Sequence, residues 1–142
     1  MKQGAVVIVP AAGVGRRFGG SVRKTFVDLK GIPLLVHSLR LFNRLECIAE
    51  IIPVLRYEDI ETGYELMKEY GISKAGQIAP GGDERQDSIN NALKLINGGC
   101  TVMVHDGARP LISEGLVTEL LDNLQGVDGV VPGLSAKETL KE

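Results

Sequence analysis

Residues 5–24 read AVVIVPAAGVGRRFGGSVRK, an apolar run that stops on a proline and opens into a glycine-rich, basic loop. Ala5-Val-Val-Ile-Val9 has no polar position, the pattern of a strand buried on both faces of a parallel sheet. Past Pro10, the glycines at 13, 15, 19 and 20 permit tight turns, and their missing Cβ atoms let amide N–H groups approach an anion. Arg16, Arg17, Arg23 and Lys24 add positive charge there, in a chain whose formal net charge is -2. Arginine forks and a lysine point charge beside bare backbone point to a bound polyphosphate. A solvated turn has the same composition; the placement directly after a strand is what favours the anion.

Two well-known phosphate motifs do not fit. A dinucleotide fingerprint needs G-x-G-x-x-G, whereas Gly13-Val-Gly15-Arg-Arg-Phe18 puts a phenylalanine at the third glycine. A mononucleotide P-loop needs glycine directly before its lysine, and here Arg23 precedes Lys24 and Thr25.

The 142 residues suit one domain with a real core, taken as 1–142. Hydrophobic residues at 44% and charged residues at 24% are ordinary for a soluble globular protein, and with no tryptophan and 4% aromatics the core is expected to be aliphatic. The slightly acidic balance argues against nucleic-acid or membrane-surface binding, which needs a broad basic face. Cys47 and Cys100 make neither a C-x-x-C pair nor a metal-ligand spacing with His37 and His105, so they read as small buried residues of a reducing compartment. The N-terminal apolar run is too short for a signal peptide or a membrane span, and a cytoplasmic protein is expected.

Helix and strand signals then alternate as in a doubly wound, mostly parallel α/β sheet of Rossmann-like type with helices on both faces. Pro33 opens a helix with a stripe of Leu34, Leu35, Ser38, Leu39 and Phe42. Ile51, Ile52, Val54 and Leu55 supply a second strand, and a surface helix over 60–70 stops at Gly71. A short strand is expected near 77–79, then a helix capped by Asp87 or Ser88, a buried strand over 101–104, a helix capped by Ser113, and a last strand over 129–132. In such sheets ligands sit beyond the carboxyl ends of the strands, where the loops 10–24, 81–88 and 105–110 would meet.

Asp106, at a strand end in His105-Asp106-Gly107-Ala108-Arg109-Pro110, has the chemistry to hold a magnesium ion that keeps several waters and takes substrate phosphate oxygens. Manganese suits the same oxygen ligands. Equally, Asp106 caps a turn and pairs with Arg109. Gly81-Gly82-Asp83 offers an uncovered backbone edge for a nucleobase, and Ser88 adds a hydroxyl; alone, these also make a turn and an N-cap.

In order and spacing, P-A-A-G-x-G-x-R with Lys24, then G-G-D-E-R-x-D-S, then V-H-D-G-A-R-P closely resemble the 2-C-methyl-D-erythritol 4-phosphate cytidylyltransferase family. The resemblance implies a nucleotidyltransferase that transfers CMP from CTP to 2-C-methyl-D-erythritol 4-phosphate in the non-mevalonate route to isoprenoids, with magnesium. It implies that Ala11, Ala12, Gly13 and Gly15 line the CTP phosphates while Arg17 and Lys24 stabilise the α-phosphate. Gly82, Asp83 and Ser88 would meet the cytidine, and Gly107 follows a nucleotide contact. Asp106 would hold the metal and lie near the acceptor, which Arg109 and Thr139 approach. Ribitol 5-phosphate is the alternative acceptor, and a non-catalytic nucleotide-binding module the alternative class.

The chain departs from the family at Arg23 and Thr25, where proline and glutamine are common. Family members also continue beyond the position of Glu142, into an arm that crosses a homodimer to supply an arginine and a later segment with a substrate-positioning lysine. Reduced turnover is therefore expected of these 142 residues, and the family's usual homodimer is in question.

Overall fold

A computed structural model describes residues 4–13 and 23–135. The chain divides into two compact units, Met1–Ile112 and Ser113–Glu142. The first holds a four-stranded sheet in the order β5-β4-β1-β6, built from β1 (Ala5–Pro10), β4 (Ile48–Leu55), β5 (Ala79–Pro80) and β6 (Val102–Val104). Every pairing in it is parallel. A two-stranded antiparallel hairpin, β2 (Asp28–Leu29) and β3 (Ile32–Pro33), precedes α1 (Leu34–Arg44). Its turn uses a left-handed Lys30 at φ 54° and Gly31 at φ 78°, a requirement that Gly31 meets without a Cβ penalty.

The apolar run at β1 is buried as its composition requires: Val7, Ile8 and Val9 have no exposed surface. Side chains alternate across a strand. Val6 and Ile8 join Ile52, Val54, Ala79 and Ala92 in one cluster, backed by Ile89, Leu95 and Ile96 of the segment that includes α3 (Arg85–Leu93). Val7 and Val9 point the other way and are equally inaccessible, so both sheet faces are covered. Helix α1 buries Leu35, Val36, Ser38, Leu39, Leu41 and Phe42 and packs on β4. Helix α2 (Ile60–Glu69) comes close through Gly63, where a Cβ would lie 2.4 Å from Leu55 Cδ1. It ends at Gly71, which takes φ 65° as a left-handed helix terminator does.

Several elements differ from the reading of the sequence. The strand expected near 77–79 is only Ala79–Pro80. Helix α3 begins two residues before Asp87; Glu84 is its N-cap, and Asp87 closes a capping box by accepting from the Glu84 N–H at 3.1 Å. β6 is half-covered rather than buried, with Val104 42% exposed. Cys47 and Cys100 are half-buried, free thiols.

In the second unit, α4 (Glu114–Asp122) starts as expected at Ser113, whose Oγ accepts from the Leu116 N–H at 3.2 Å. Of its apolar stripe only Val117 is fully buried. Residues 129–132 form no strand: Val131 is exposed, and no strand pairing involves this run among the described residues, so its backbone is not satisfied as sheet.

Phe42 is fully buried and meets the His105 ring edge-on, with centroids 5.3 Å apart. Phe42→Ala removes that contact and leaves a cavity, and is expected to cost about 3–5 kcal/mol of stability, read by chemical denaturation. A loss below about 1 kcal/mol would mean that this part of the core repacks freely.

Candidate functional site

The carboxyl ends of the four parallel strands deliver four segments to one place: Ala11–Gly13 after β1, Arg56–Glu58 after β4, Gly81–Arg85 after β5, and His105–Arg109 after β6. Sheet order makes them neighbours. The chain adds strands on one side of β1 as far as β5, then crosses to its other side for β6, which creates the reversal at which open α/β sheets bind ligands. A cavity of about 650 Å³ opens there, within the first unit.

Backbone hydrogen bonds fix the walls. Ala11 N–H donates to Val54 O at 2.9 Å, Gly81 N–H to Leu55 O at 2.7 Å, and Gly107 N–H to Pro10 O at 3.0 Å. Close approach makes two glycines necessary. A Cβ on Gly81 would stand 2.4 Å from Ala12 Cβ, and one on Gly82 would stand 2.3 Å from Asp87 Cβ and 3.1 Å from the Asp87 carbonyl carbon.

Ser88 is buried at the start of α3, and its hydroxyl ties the turn together by accepting from Gly82 N–H at 3.0 Å and donating to Glu84 O at 3.1 Å. Thr25 is buried as well, and donates to Ala11 O at 3.4 Å. Lys24 is exposed beside it, in a short 3-10 turn over Lys24–Phe26.

Asp106 sits between two arginines. Arg85 Nη2 donates to its Oδ1 at 2.6 Å, and Arg109 Nε lies 3.1 Å from Oδ2. Among the described residues no group of three or more histidine, cysteine or acidic side chains is placed to hold a metal ion. Asp106 lies on the cavity wall, and each of its oxygens keeps a second acceptor direction beyond its arginine. That donor fits a magnesium ion whose other ligands are water and phosphate oxygens.

His105 donates its backbone N–H to Ile8 O at 3.0 Å, while its Nδ1 is buried with no hydrogen-bond partner among the described residues. Burial pushes the imidazole below the ordinary value of 6.5; the Asp106 carboxylate opposes this and the Arg109 guanidinium adds to it.

Of the residues singled out from the sequence, Ala11, Ala12, Gly13, Lys24, Gly82, Asp83, Ser88 and Asp106 line this one cavity. Gly107 lies behind the wall, packed against Ala11 and Leu35. Arg109 is largely exposed, and among the described residues its side chain pairs with Asp106. Gly15, Arg17 and Thr139 lie outside the described residues. The sequence reading assigned no role to Arg56, Glu58 or Arg85, which also line the cavity. Arg56 was findable, because it is the first residue past the carboxyl end of β4. Arg85 stood inside the quoted G-G-D-E-R motif.

Two outcomes follow from this geometry. Ser88→Ala deletes an acceptor and a donor at a buried site and is expected to destabilise by about 1–3 kcal/mol, measured by denaturation; an unchanged midpoint would show the turn is held otherwise. Protonation of His105 is favoured in the unfolded chain over the folded one. Its contribution is present above pH 6.5 and is lost as pH falls through the lower folded value. His105→Phe should flatten the decline of stability between pH 6.5 and 5 relative to the parent; an identical slope would remove His105 from the account.

The family model for 2-C-methyl-D-erythritol 4-phosphate cytidylyltransferase (IspD) matches residues 5–142. The protein of that name from Bacillus mycoides (strain KBAB4) is 36% identical over 136 residues, which are 96% of this chain and 60% of that protein. Its counterpart from Clostridium botulinum (strain Loch Maree / Type A3) is 36% identical over 142 residues, 99% of this chain and 62% of that one. The chain thus spans about three fifths of the length of these curated relatives. Among solved structures, the 4-diphosphocytidyl-2C-methyl-D-erythritol synthase of Anaerococcus prevotii superposes with a TM-score of 0.72 at 27% identity, over 86% of this chain and 51% of that one. The bifunctional IspDF of Campylobacter jejuni gives 0.73 at 28% identity, over 87% and 31%. By sequence and by fold, the chain belongs to the 2-C-methyl-D-erythritol 4-phosphate cytidylyltransferase family.

Proposed function

We propose that this chain carries the nucleotide-binding part of a cytidylyltransferase site that transfers CMP from CTP to 2-C-methyl-D-erythritol 4-phosphate and releases pyrophosphate. One observation carries the reading: the described residues of the three motif-bearing loops meet in a single cavity at the reversal of the sheet. The volume suits a nucleotide, and lining residues divide by chemistry. Ala12, Gly13 and Lys24 bring backbone and an ammonium group suited to phosphate, while the Gly82 turn, held by the Ser88 hydroxyl, brings a polar edge suited to a base.

In the reaction, an oxygen of the acceptor phosphate forms a bond to the α-phosphorus of CTP as the bond to the β-phosphate oxygen breaks in line. Negative charge grows on the α-phosphate oxygens, and Lys24 together with Arg17 offsets it. A phosphate nucleophile is already ionised at neutral pH, so no side chain has to accept a proton. Asp106 would hold magnesium, which neutralises charge on the phosphate oxygens when bound. Arg109 and Thr139 are proposed to meet the acceptor. The assignment extends to a cytoplasmic enzyme with a single domain over 1–142. No helix among the described residues is long and apolar enough to cross a membrane.

Calorimetric titration with CTP, ATP, UTP and GTP, each with magnesium, tests the reading. CTP-selective binding is the expected result, and failure to bind CTP contradicts it. Lys24→Ala is expected to weaken CTP binding about 10- to 100-fold, the worth of one charge-assisted contact. Unchanged affinity would take Lys24 out of the site. With CTP bound, pyrophosphate release should follow methylerythritol phosphate in preference to ribitol 5-phosphate; the reverse preference would change the acceptor.

A further inference from the structure

The glycine-rich segment leaves β1 through Ala12 and returns through Arg23, and both stems meet the same short turn after β4. On the outgoing side, Arg56 Nε donates to Ala12 O at 3.1 Å. On the returning side, Arg23 Nη2 donates to Glu58 Oε1 at 3.1 Å, and Arg23 Nη1 pairs with Asp59. Arg56 Nη1 lies 3.8 Å from that same Glu58 oxygen, so Glu58 bridges the two arginines. Two positive and two negative side chains thus form one balanced network. Both arginine side chains are 26% exposed and Asp59 17%, so the Arg23–Asp59 side of the network is shielded more than an isolated surface pair, while Glu58 is 60% exposed.

The network stands on rigid ground. Arg56 directly follows Ile51–Leu55, a stretch of β4 buried at every position. Arg23, in turn, leads straight into the turn that carries Lys24, where Phe26 N–H donates to Arg23 O at 2.9 Å and Val27 N–H to Lys24 O at 3.2 Å. The position of Arg23 therefore sets the position of Lys24.

We propose that Arg23 is a positioning residue: through Glu58, Asp59 and Arg56 it fixes Lys24 relative to the Ala12–Gly13 backbone, so that lysine and backbone amides address the same polyphosphate. The proposal rests on the CTP-binding reading above. Its physical content is preorganisation, since a lysine stem already held in place loses less freedom when the nucleotide binds.

The backbone at Arg23 separates positioning from charge. Its φ of -70° and ψ of 133° are values that a proline ring imposes or allows. Arg23→Pro therefore removes the ion pairs while holding the stem, and Arg23→Gly removes both. The full chain and these two variants are compared by calorimetry with CTP and magnesium, and by amide hydrogen exchange at Phe26 and Val27 without nucleotide. Arg23→Gly is expected to weaken CTP binding about tenfold and to speed exchange at both amides, whereas Arg23→Pro stays within about threefold of the parent with exchange unchanged. Arg23→Pro as weak as Arg23→Gly, or Arg23→Gly indistinguishable from the parent, overturns the proposal. If the parent binds no nucleotide, the CTP reading fails by itself and exchange decides: faster in the glycine variant alone supports the brace, and equal rates in all three overturn it. Should Arg23→Gly fold poorly, Asp59→Asn breaks the pair from the other side, with faster exchange at Phe26 and Val27 expected and parental rates contradicting.

Discussion

Three backbone hydrogen bonds at the carboxyl end of the sheet hold the rest of the site in place. Ala11 bonds to Val54, Gly81 to Leu55 and Gly107 to Pro10, so each loop leaves its strand still tied to the neighbouring strand. An amide left unpaired in such a buried place would cost about 1–3 kcal/mol, which gives these ties their directing force. They work only because β1 is central and parallel to both neighbours, and β1 is central because Val7, Ile8 and Val9 leave no polar face for solvent. The hydrophobic run thus determines, through the sheet, where a glycine loop, a serine and an aspartate meet.

Charge is arranged differently from shape. The cavity wall carries Lys24, Arg56 and Arg85 against Glu58, Asp83, Glu84 and Asp106. Arg56 and Arg85 are already committed, one to Ala12 O and Glu58, the other to Asp106. A metal ion at Asp106 would use the acceptor directions that the two arginines leave on that carboxylate.

How far the sequence could be read follows from what each feature depends on. β1, α1, α2 and the Ser113 cap were legible because local composition decides them: an unbroken apolar run, a helical stripe, a terminating glycine, a capping hydroxyl. Residues 129–132 were not, since an apolar tetrapeptide becomes a strand only if another strand is there to receive it. The start of α3 was misplaced because Asp87 caps from inside the helix, reaching back to Glu84, and a reader counting from the N-cap alone misses that reciprocity. At the site, the glycines, Lys24, Ser88 and Asp106 were found by motif. Arg56 and Glu58 escaped, because their role lies in pairing with residues 44 and 35 positions away, which spacing does not announce.

The central claim is that loops following separate strands form one nucleotide cavity, and it is tested most directly by mapping amide chemical-shift changes as CTP and magnesium are added to the labelled chain. The account predicts that Gly13, Lys24, Gly82, Ser88 and Asp106 shift together along one binding curve. Shifts confined to a single loop, or spread over residues far from the strand ends, would contradict it.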